Sequence, residues 1–361
     1  MATYDLTQAE LSAVISGNLD ASVRDFVLNF LYDDENSPGN SAFGQAQGMG
    51  HNNPPDDTIT VQISDGFQPL DKKAEALVLN NEHGVVETGG KLEAIIQNVS
   101  TDSDLRVTGN QDVLVATGTG DNLVDMQNSG DDIVLTGSGQ DTVFDGEGND
   151  TILAGDGNDS IVGGAGNEQL FDGQAGNDTI FGGDGNFDTL SGGDGRDLLF
   201  GGDGDNQVLQ GGNQNDQIWG GDGDRNLLLG GTGSDTIFGG DGANNTLSGG
   251  DGNDQIAVGD GANQLADGGA GNDTIWAGEG GNTLFGGGGD DTFEITSHTG
   301  DSTIIGGVGH NTIDFNDRAS TDVDSIETIA GQTTITFTDG QTITASQVQD
   351  LVFSDGTQNL P

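Results

Sequence analysis

An all-β fold is what this 361-residue sequence predicts: a parallel β-roll of about 19 residues per coil, with a short helical N-terminal segment and a non-repetitive β C-terminal cap. Three observations carry the prediction. Carboxylates recur at Asp178, Asp197, Asp216, Asp235, Asp254, Asp273 and Asp291, at steps of 19 five times and 18 once. Two positions after each stands an apolar residue: Ile180, Leu199, Ile218, Ile237, Ile256, Ile275 and Phe293. Half a period away runs a second apolar series, Leu190, Leu209, Leu228, Leu247, Leu265 and Leu284, so each coil holds two short strands and two glycine-rich turns. A strand that returns beside its own previous turn sets equivalent residues in register on one face, and a fixed period of this length is the mark of a solenoid.

The residue types explain what the turns are for. Each unit reads G-G-x-G-x-D-x-U-x, as in Gly192-Gly193-Asp194-Gly195-Arg196-Asp197-Leu198-Leu199-Phe200 and Gly230-Gly231-Thr232-Gly233-Ser234-Asp235-Thr236-Ile237-Phe238. Glycine admits backbone conformations that a Cβ forbids, so the turn is tight and its carbonyls can point inward together. Asp adds a carboxylate, and such a ring of hard oxygens suits Ca2+, which takes about six to eight of them at flexible geometry. It suits Zn2+ poorly. The pattern resembles the calcium-binding nonapeptide repeats of the RTX family, the hemolysin-type proteins that bacteria secrete by the type I route. Weaker copies carry the resemblance back to about Val107 and forward to about Asp314. It implies several Ca2+ per chain, one between turns of successive coils on the same edge, with Asp141, Asp159, Asp178, Asp197, Asp216, Asp235, Asp254, Asp273 and Asp291 as the ligands of one edge.

The second edge differs. In the place of the Asp it carries Asp188, Gln207, Asn226, Asn245, Asn263 and Asn282, so beyond Asp188 every carboxylate has become an amide. Four of these turns also hold one extra residue, as in Gly182-Gly183-Asp184-Gly185-Asn186-Phe187-Asp188. Stacked amides hydrogen-bond along a solenoid without an ion, so calcium is expected on the Asp edge and weakly or not at all on the amide edge. Earlier coils place Asp132 and Asp150 on that second edge, followed by Glu168, and there both edges are expected to bind ions.

Composition narrows the partners. A formal net charge of -52 with only 8 Lys and Arg makes the bare chain repel itself and resist collapse. It argues against nucleic acid and anionic lipid as partners. No apolar run reaches the length of a transmembrane helix. Cysteine is absent, which excludes disulfides and thiolate metal sites. Weak calcium sites fill only at ~10⁻⁴ to 10⁻³ M Ca2+, a level met outside the cell.

Taken in order, residues 1–35 predict two helices: Thr7 with Glu10 forms a capping box for a helix to about Ser16, and Asp20 caps a second through Phe26, Val27, Phe30 and Leu31. Their apolar stripe serves either to cap the roll or to meet another molecule. No basic n-region or signal-peptide core opens the chain, so ordinary secretory targeting is not expected. Residues 36–57, with Pro38, Pro54 and Pro55, read as a linker. Residues 58–106 alternate as Ile59, Val61, Ile63, then Ala76, Val78, then Leu92, Ala94, Ile96, the pattern of irregular rungs that close an open solenoid end. The roll proper occupies 107–314, about eleven coils. In 315–361, two Thr-rich runs joined by Asp339-Gly340 make a hairpin signal from Thr333 to Thr344. This end resembles the C-terminal caps of RTX proteins, which implies a type I secretion signal there.

One column points outward. Phe181, Phe200, Trp219, Phe238, Ala257 and Trp276 each follow an inward apolar residue, and strand neighbours face opposite ways. An aromatic stripe on so anionic a chain marks Phe181, Phe200, Trp219, Phe238 and Trp276 as a candidate interface, unless the N-terminal helices cover it. Enzymatic readings find no support: His51, His83, His298 and His310 lack metal-ligand spacing, and no G-x-S-x-G elbow occurs. The expected protein is a non-enzymatic, secreted, calcium-binding structural protein that folds and self-assembles outside the cell as a filament, fibril or surface-layer subunit. Its expected partners are further copies of itself and the type I secretion machinery. The alternatives are an adhesin or carbohydrate-binding roll, and a non-catalytic RTX domain of a secreted hydrolase or epimerase.

Overall fold

A computed structural model describes residues 2–15, 18–32, 59–64, 76–80, 82–89 and 92–360; the 36–57 segment read as a linker lies outside them. The fold is an all-β parallel solenoid with coils of about 19 residues and two short N-terminal helices. Contacts divide it into two compact units, Met1–Ile180 and Phe181–Pro361.

In the first unit one sheet stacks Ile59–Ser64, Ala76–Leu79, Ala94–Gln97, Leu114–Ala116, Ile133–Ser138, Thr151–Asp156 and Leu170–Ala175, all parallel. A second sheet stacks His83–Glu87, Ser103–Thr108, Asn122–Gln127, Thr142–Phe144 and Ser160–Val162, also parallel. The expected early rungs are therefore coils in register with the roll. Helices α1 (Gln8–Ile15) and α2 (Ala21–Tyr32) cover the outer face of the first sheet. Leu11, Ile15, Val27 and Leu31 are buried against Ala76, Val78, Ala94, Ile96, Leu114 and Ala116. Strands covered on both faces read as unbroken apolar runs, and Ala76–Leu79 and Ala94–Gln97 are buried at every residue. The helices pack along the outer face of the chain's own first sheet. Thr7 and Glu10 make the carboxylate half of the expected box: the Thr7 N–H donates to Glu10 Oε2 at 2.9 Å, and its hydroxyl does so at 2.7 Å. The sequence reading missed one element. Ala2–Leu6 is a strand, antiparallel to Ile59–Ser64, whose partner lies more than fifty residues along the chain and so leaves no local signal.

In the second unit each coil has a three-residue strand, a turn, a six-residue strand and a second turn. The short strands align Leu199, Ile218, Ile237, Ile256, Ile275, Phe293 and Ile313, all 0% exposed. The long strands align Leu190, Leu209, Leu228, Leu247, Ala266, Leu284 and Ile304. Here the inward residue is Ala266 and not the expected Leu265, which faces out and is 38% exposed. The core makes up the lost volume nearby. A Cβ on Gly220 or Gly239 would lie within about 3.1 Å of the Leu228 or Leu247 methyls, so in these coils the leucine packs against glycine. Where leucine gives way to Ala266, the equivalent glycine is replaced by Val258, fully buried. Close packing at constant volume explains the exchange.

The end of this unit keeps the roll's register while leaving its repeat. Thr342–Ser346 and Asp350–Phe353 continue the two sheets in parallel. The hairpin expected at Asp339-Gly340 pairs Gln332–Phe337 with Thr342–Ser346. A second hairpin, unforeseen, pairs Val323–Ile329 with Gln332–Phe337 through Ala330 and Gly331, at φ 54° and 83°. Two positive φ values match the twist of a tight hairpin turn, but Ala-Gly is not a dipeptide that announces one.

Candidate metal centres along the two turn edges

In the second unit every coil brings a polar side chain into each turn, and the backbone fixes its direction. Along the first edge of the second unit, Asp216, Asp235, Asp254, Asp273 and Asp291 are each about 1% exposed. Each carboxylate spends one oxygen on the coil before it. The Asp197 N–H donates to Asp216 Oδ1 at 2.8 Å, Asp216 to Asp235 at 2.8 Å, Asp235 to Asp254 at 2.7 Å and Asp254 to Asp273 at 2.8 Å. The other oxygens, Oδ2 of Asp216, Asp235, Asp254, Asp273 and Asp291, are buried with no hydrogen-bond donor. The first unit repeats the arrangement, with the Asp141 N–H donating to Asp159 Oδ1 and the Asp159 N–H to Asp178 Oδ1, both at 2.7 Å.

The undonated oxygens face further oxygens. A Cβ on Gly211 would run into both Asp216 Oδ2 and the Gly230 carbonyl, and one on Gly230 into both Asp235 Oδ2 and the Gly249 carbonyl. At these two glycines carboxylate and carbonyl converge on the space a Cβ would take, whereas Thr136 and Ala154 hold the equivalent place in the first unit. Oxygens meeting in a buried place repel unless a cation bridges them. Burial, together with the charges of Asp197 and Asp235, pushes the Asp216 carboxyl up to about 8 despite the Asp197 N–H. Burial likewise raises Asp254 and Asp159 to about 7 and Asp141 to about 6, and raises Asp235 and Asp273. Among the described residues no three His, Cys, Asp or Glu side chains gather, so an ion must draw most of its ligands from main-chain carbonyls. Hard oxygen donors of that kind fit Ca2+. Held there, the ion supplies the positive charge that lets the carboxylates stay ionised while buried.

On the second edge of the same unit the same carbonyls are satisfied differently. Asn226 Nδ2 donates to the carbonyls of Gly204, Gly220 and Gly223 at 3.2, 3.3 and 3.2 Å. Gln207 Nε2 donates to Gly185 and Gly201 at 3.0 and 2.8 Å, and Asn245 Nδ2 to Gly239 and Gly242 at 3.4 and 3.2 Å. The oxygens of Asn226 and Asn245 meanwhile accept the ladder bonds, the Gln207 N–H donating to Asn226 Oδ1 and the Asn226 N–H to Asn245 Oδ1, both at 2.8 Å, whereas Gln207 Oε1 is buried without a donor. An amide is donor and acceptor at once and closes the cradle by itself. From Asn226 to Asn282 this edge therefore does not fit a cation.

Two residues read from the sequence as members of that edge are displaced by one. Gln264, 1% exposed, holds the position assigned to Asn263: its Oε1 accepts from the Asn245 N–H at 3.0 Å and its Nε2 donates to the Gly242 carbonyl. Gln169, also 1% exposed, stands where Glu168 was expected. The extra residue of these turns explains both slips. It adopts a left-handed conformation just before the ladder residue, with φ 57° at Glu168, 65° at Phe187, 61° at Arg225, 62° at Asn244 and 59° at Asn263. In the first unit this edge does carry the expected acids. Asp132 Oδ1 accepts from the Val113 N–H at 2.8 Å, and Asp150 Oδ1 from the Asp132 N–H at 2.7 Å.

The sequence reading also missed one asparagine beside the Asp series in each unit. In the first, Asn122 donates its N–H to Asp141 Oδ1 at 2.7 Å and its Nδ2 to the Gly118 and Gly120 carbonyls at 3.0 and 2.8 Å. In the second, Asn311 Oδ1 accepts from the Asp291 N–H at 2.9 Å and its Nδ2 donates to the Gln347 carbonyl at 3.1 Å. Only their alignment with the Asp series, at steps of 19 and 20, would have found them.

The aromatic column is present. In the second unit the rings of Phe181 and Phe200 stack at 4.7 Å, Phe200 and Trp219 at 4.5 Å, and Trp219 and Phe238 at 5.5 Å, all within 13° of parallel. Trp276 stands beyond Ala257, 39% exposed. No described helix is long and apolar enough to cross a membrane. A family model for the RTX calcium-binding nonapeptide repeat (4 copies) matches residues 128–224, 229–293 and 295–317, together just over half of the chain. No curated protein matches it.

Proposed function

The chain belongs to the family of RTX calcium-binding nonapeptide repeat proteins, and from that premise we propose that it is a secreted structural protein whose roll folds on calcium outside the cell and then self-assembles into a filament, fibril or surface layer. The observation that carries the reading is the run of buried Asp side chains, each with an oxygen that has no donor. At a formal charge of -52 bringing these together near neutral pH is costly, divalent cations lower that cost, and weak sites fill only where calcium is plentiful. Export in an unfolded state through the type I machinery, followed by folding outside, is the sequence of events that such a dependence serves.

Assembly rests on the aromatic column. Its rings are edge-on to solvent because their faces are used on one another, which favours contact with another apolar surface over stacking on a sugar. The carbohydrate-binding alternative keeps one place, the gap at Ala257 between Phe238 and Trp276, whose rings stand two rungs apart. Sedimentation and negative-stain imaging of the full chain in millimolar Ca2+ and in EGTA test the proposal. Fibres or sheets that form only with calcium are expected; monodisperse rods in calcium would remove the assembly role. Trp276→Ser, which sacrifices no ring stack, should shrink the assemblies while leaving the folded roll intact.

A further inference from the structure

The second unit carries an exposed ring outside the aromatic column, and the column itself has one rung where a ring is missing. The ring is Phe187, in a turn of the amide edge. It is 57% exposed, more than any ring of the column. Its backbone sits at φ 65°, a left-handed conformation that strains a bulky side chain and suits asparagine. The equivalent turns of this unit carry Asn206, Arg225, Asn244 and Asn263, at φ 60°, 61°, 62° and 59°. The Phe187 N–H donates to the Asp205 carbonyl at 2.9 Å, so the turn fixes the backbone while the side chain stands in solvent. The missing ring is at Ala257. Phe238 pairs with Ala257 and Ala257 with Trp276 on successive strands, which sets the two rings roughly 10 Å apart at ~4.8 Å per rung. Rings on consecutive rungs stack at 4.5 to 5.5 Å, so the gap has room for one ring more. Phe200 and Trp219, stacked on both faces, are half-buried, whereas Phe238 and Trp276, which border the gap, are 38% and 39% exposed.

We propose that the gap over Ala257 receives Phe187 of a second copy of this chain, stacked between Phe238 and Trp276, and that this contact links copies head to tail. Size fits, since the gap admits one flat ring and the turn presents one. Charge fits as well. The turn of Phe187 carries Asp184, and on so acidic a chain it can approach only a surface without carboxylates. The outward residues about the gap, Thr236, Phe238, Gln255, Ala257, Thr274 and Trp276, are all uncharged. Gln255 and the two threonines add donors from which a carboxylate accepts. Burying the ring against two others offsets the strain of its backbone. Ring and gap lie on different surfaces of one unit, so the contact is heterologous: each joined copy still offers one of each, and growth continues beyond a pair. This rests on the assembly reading above and names the contact that carries it.

Sedimentation velocity and negative-stain imaging of the full chain in millimolar Ca2+ test the contact on wild type, Phe187→Asn, Ala257→Phe and an equimolar mixture of the two variants. Phe187→Asn removes the ring and supplies the residue that suits its turn. Ala257→Phe fills the gap from within and completes the stack. Circular dichroism verifies that both fold. Each variant alone should stay unassembled, whereas the mixture should form one-to-one pairs and nothing larger, because one ring and one gap survive between two chains. Fibres from either variant alone, or a mixture that stays unpaired, would overturn the contact and leave assembly to another surface. Assembly that persists in Ala257→Phe while binding of soluble dextran is lost would give the gap to a sugar and overturn the contact equally. A wild-type chain that remains as single rods in calcium would instead defeat the assembly reading, and this contact with it.

Discussion

Asp235 and Asn245 occupy equivalent places on opposite edges of one coil, and a single atom separates their behaviour. The amide nitrogen of Asn245 donates to two glycine carbonyls. The matching oxygen of Asp235 is buried with no donor and faces the Gly249 carbonyl. Asp235→Asn should therefore raise stability in EGTA, by about 1–3 kcal/mol for relieving one buried unsatisfied group, and reduce the calcium bound at saturation. The converse change, Asn245→Asp, should destabilise the chain in EGTA by a similar amount and recover with calcium. Chemical denaturation with and without Ca2+ measures both; an Asp235→Asn chain that is weaker in EGTA would contradict this account of the edge. The Asp positions were legible in the sequence because each coil repeats them. Gln264 and Gln169 were not, because a left-handed residue before each adds one to the count without changing the glycine pattern, and Asn263 and Glu168 are plausible occupants of the same place.

At the scale of the strand, neighbouring coils exchange volume. Val258 and Ala266 together fill the space that Gly239 and Leu247 fill one coil earlier. Ala266→Leu should cost about 1–3 kcal/mol through overpacking against Val258, and much of that loss should return in the double variant with Val258→Gly. A double-mutant cycle on thermal melts gives the coupling; additive effects would mean that the two side chains do not share the space. The aromatic column behaves as an element too. Trp219 stacks on both Phe200 and Phe238, and such pairs contribute about 0.5–1.5 kcal/mol each beyond burial. Trp219→Ser therefore weakens the roll itself, whereas Trp276→Ser isolates any role in association. The sequence placed the column and its outward direction, since strand alternation requires both. It left open what α1 and α2 cover, because an apolar stripe does not name its partner; packing chose the outer face formed by Val78, Ile96 and Ala116.

For the whole molecule the balance lies between protons and calcium. Burial holds the folded pKa of Asp216 at about 8, of Asp254 and Asp159 at about 7 and of Asp141 at about 6, against 3.8 for the unreacted side chain. Between pH 4 and 8, roughly, the folded chain thus holds more protons than the unfolded one, so without divalent cations its stability falls as pH rises through that window. Calcium competes for the same oxygens, and its affinity should rise over the same range. Melts in EGTA are expected to drop from pH 5 to pH 8, roughly, and melts in millimolar Ca2+ to hold or rise. A calcium-free chain whose melting temperature climbs with pH would show that the buried acids are not governing stability. What the sequence determined by itself was whatever repeats: coil length, the two sheets, the acidic edge and the amide edge, because a solenoid writes each contact again at every period. What only the tertiary structure decided was whatever occurs once. The strand Ala2–Leu6 meets a partner far along the chain, Asn122 and Asn311 each adjoin the Asp series of their own unit, and Ala266 trades volume with Val258; each depends on a contact between side chains or segments that no periodicity records.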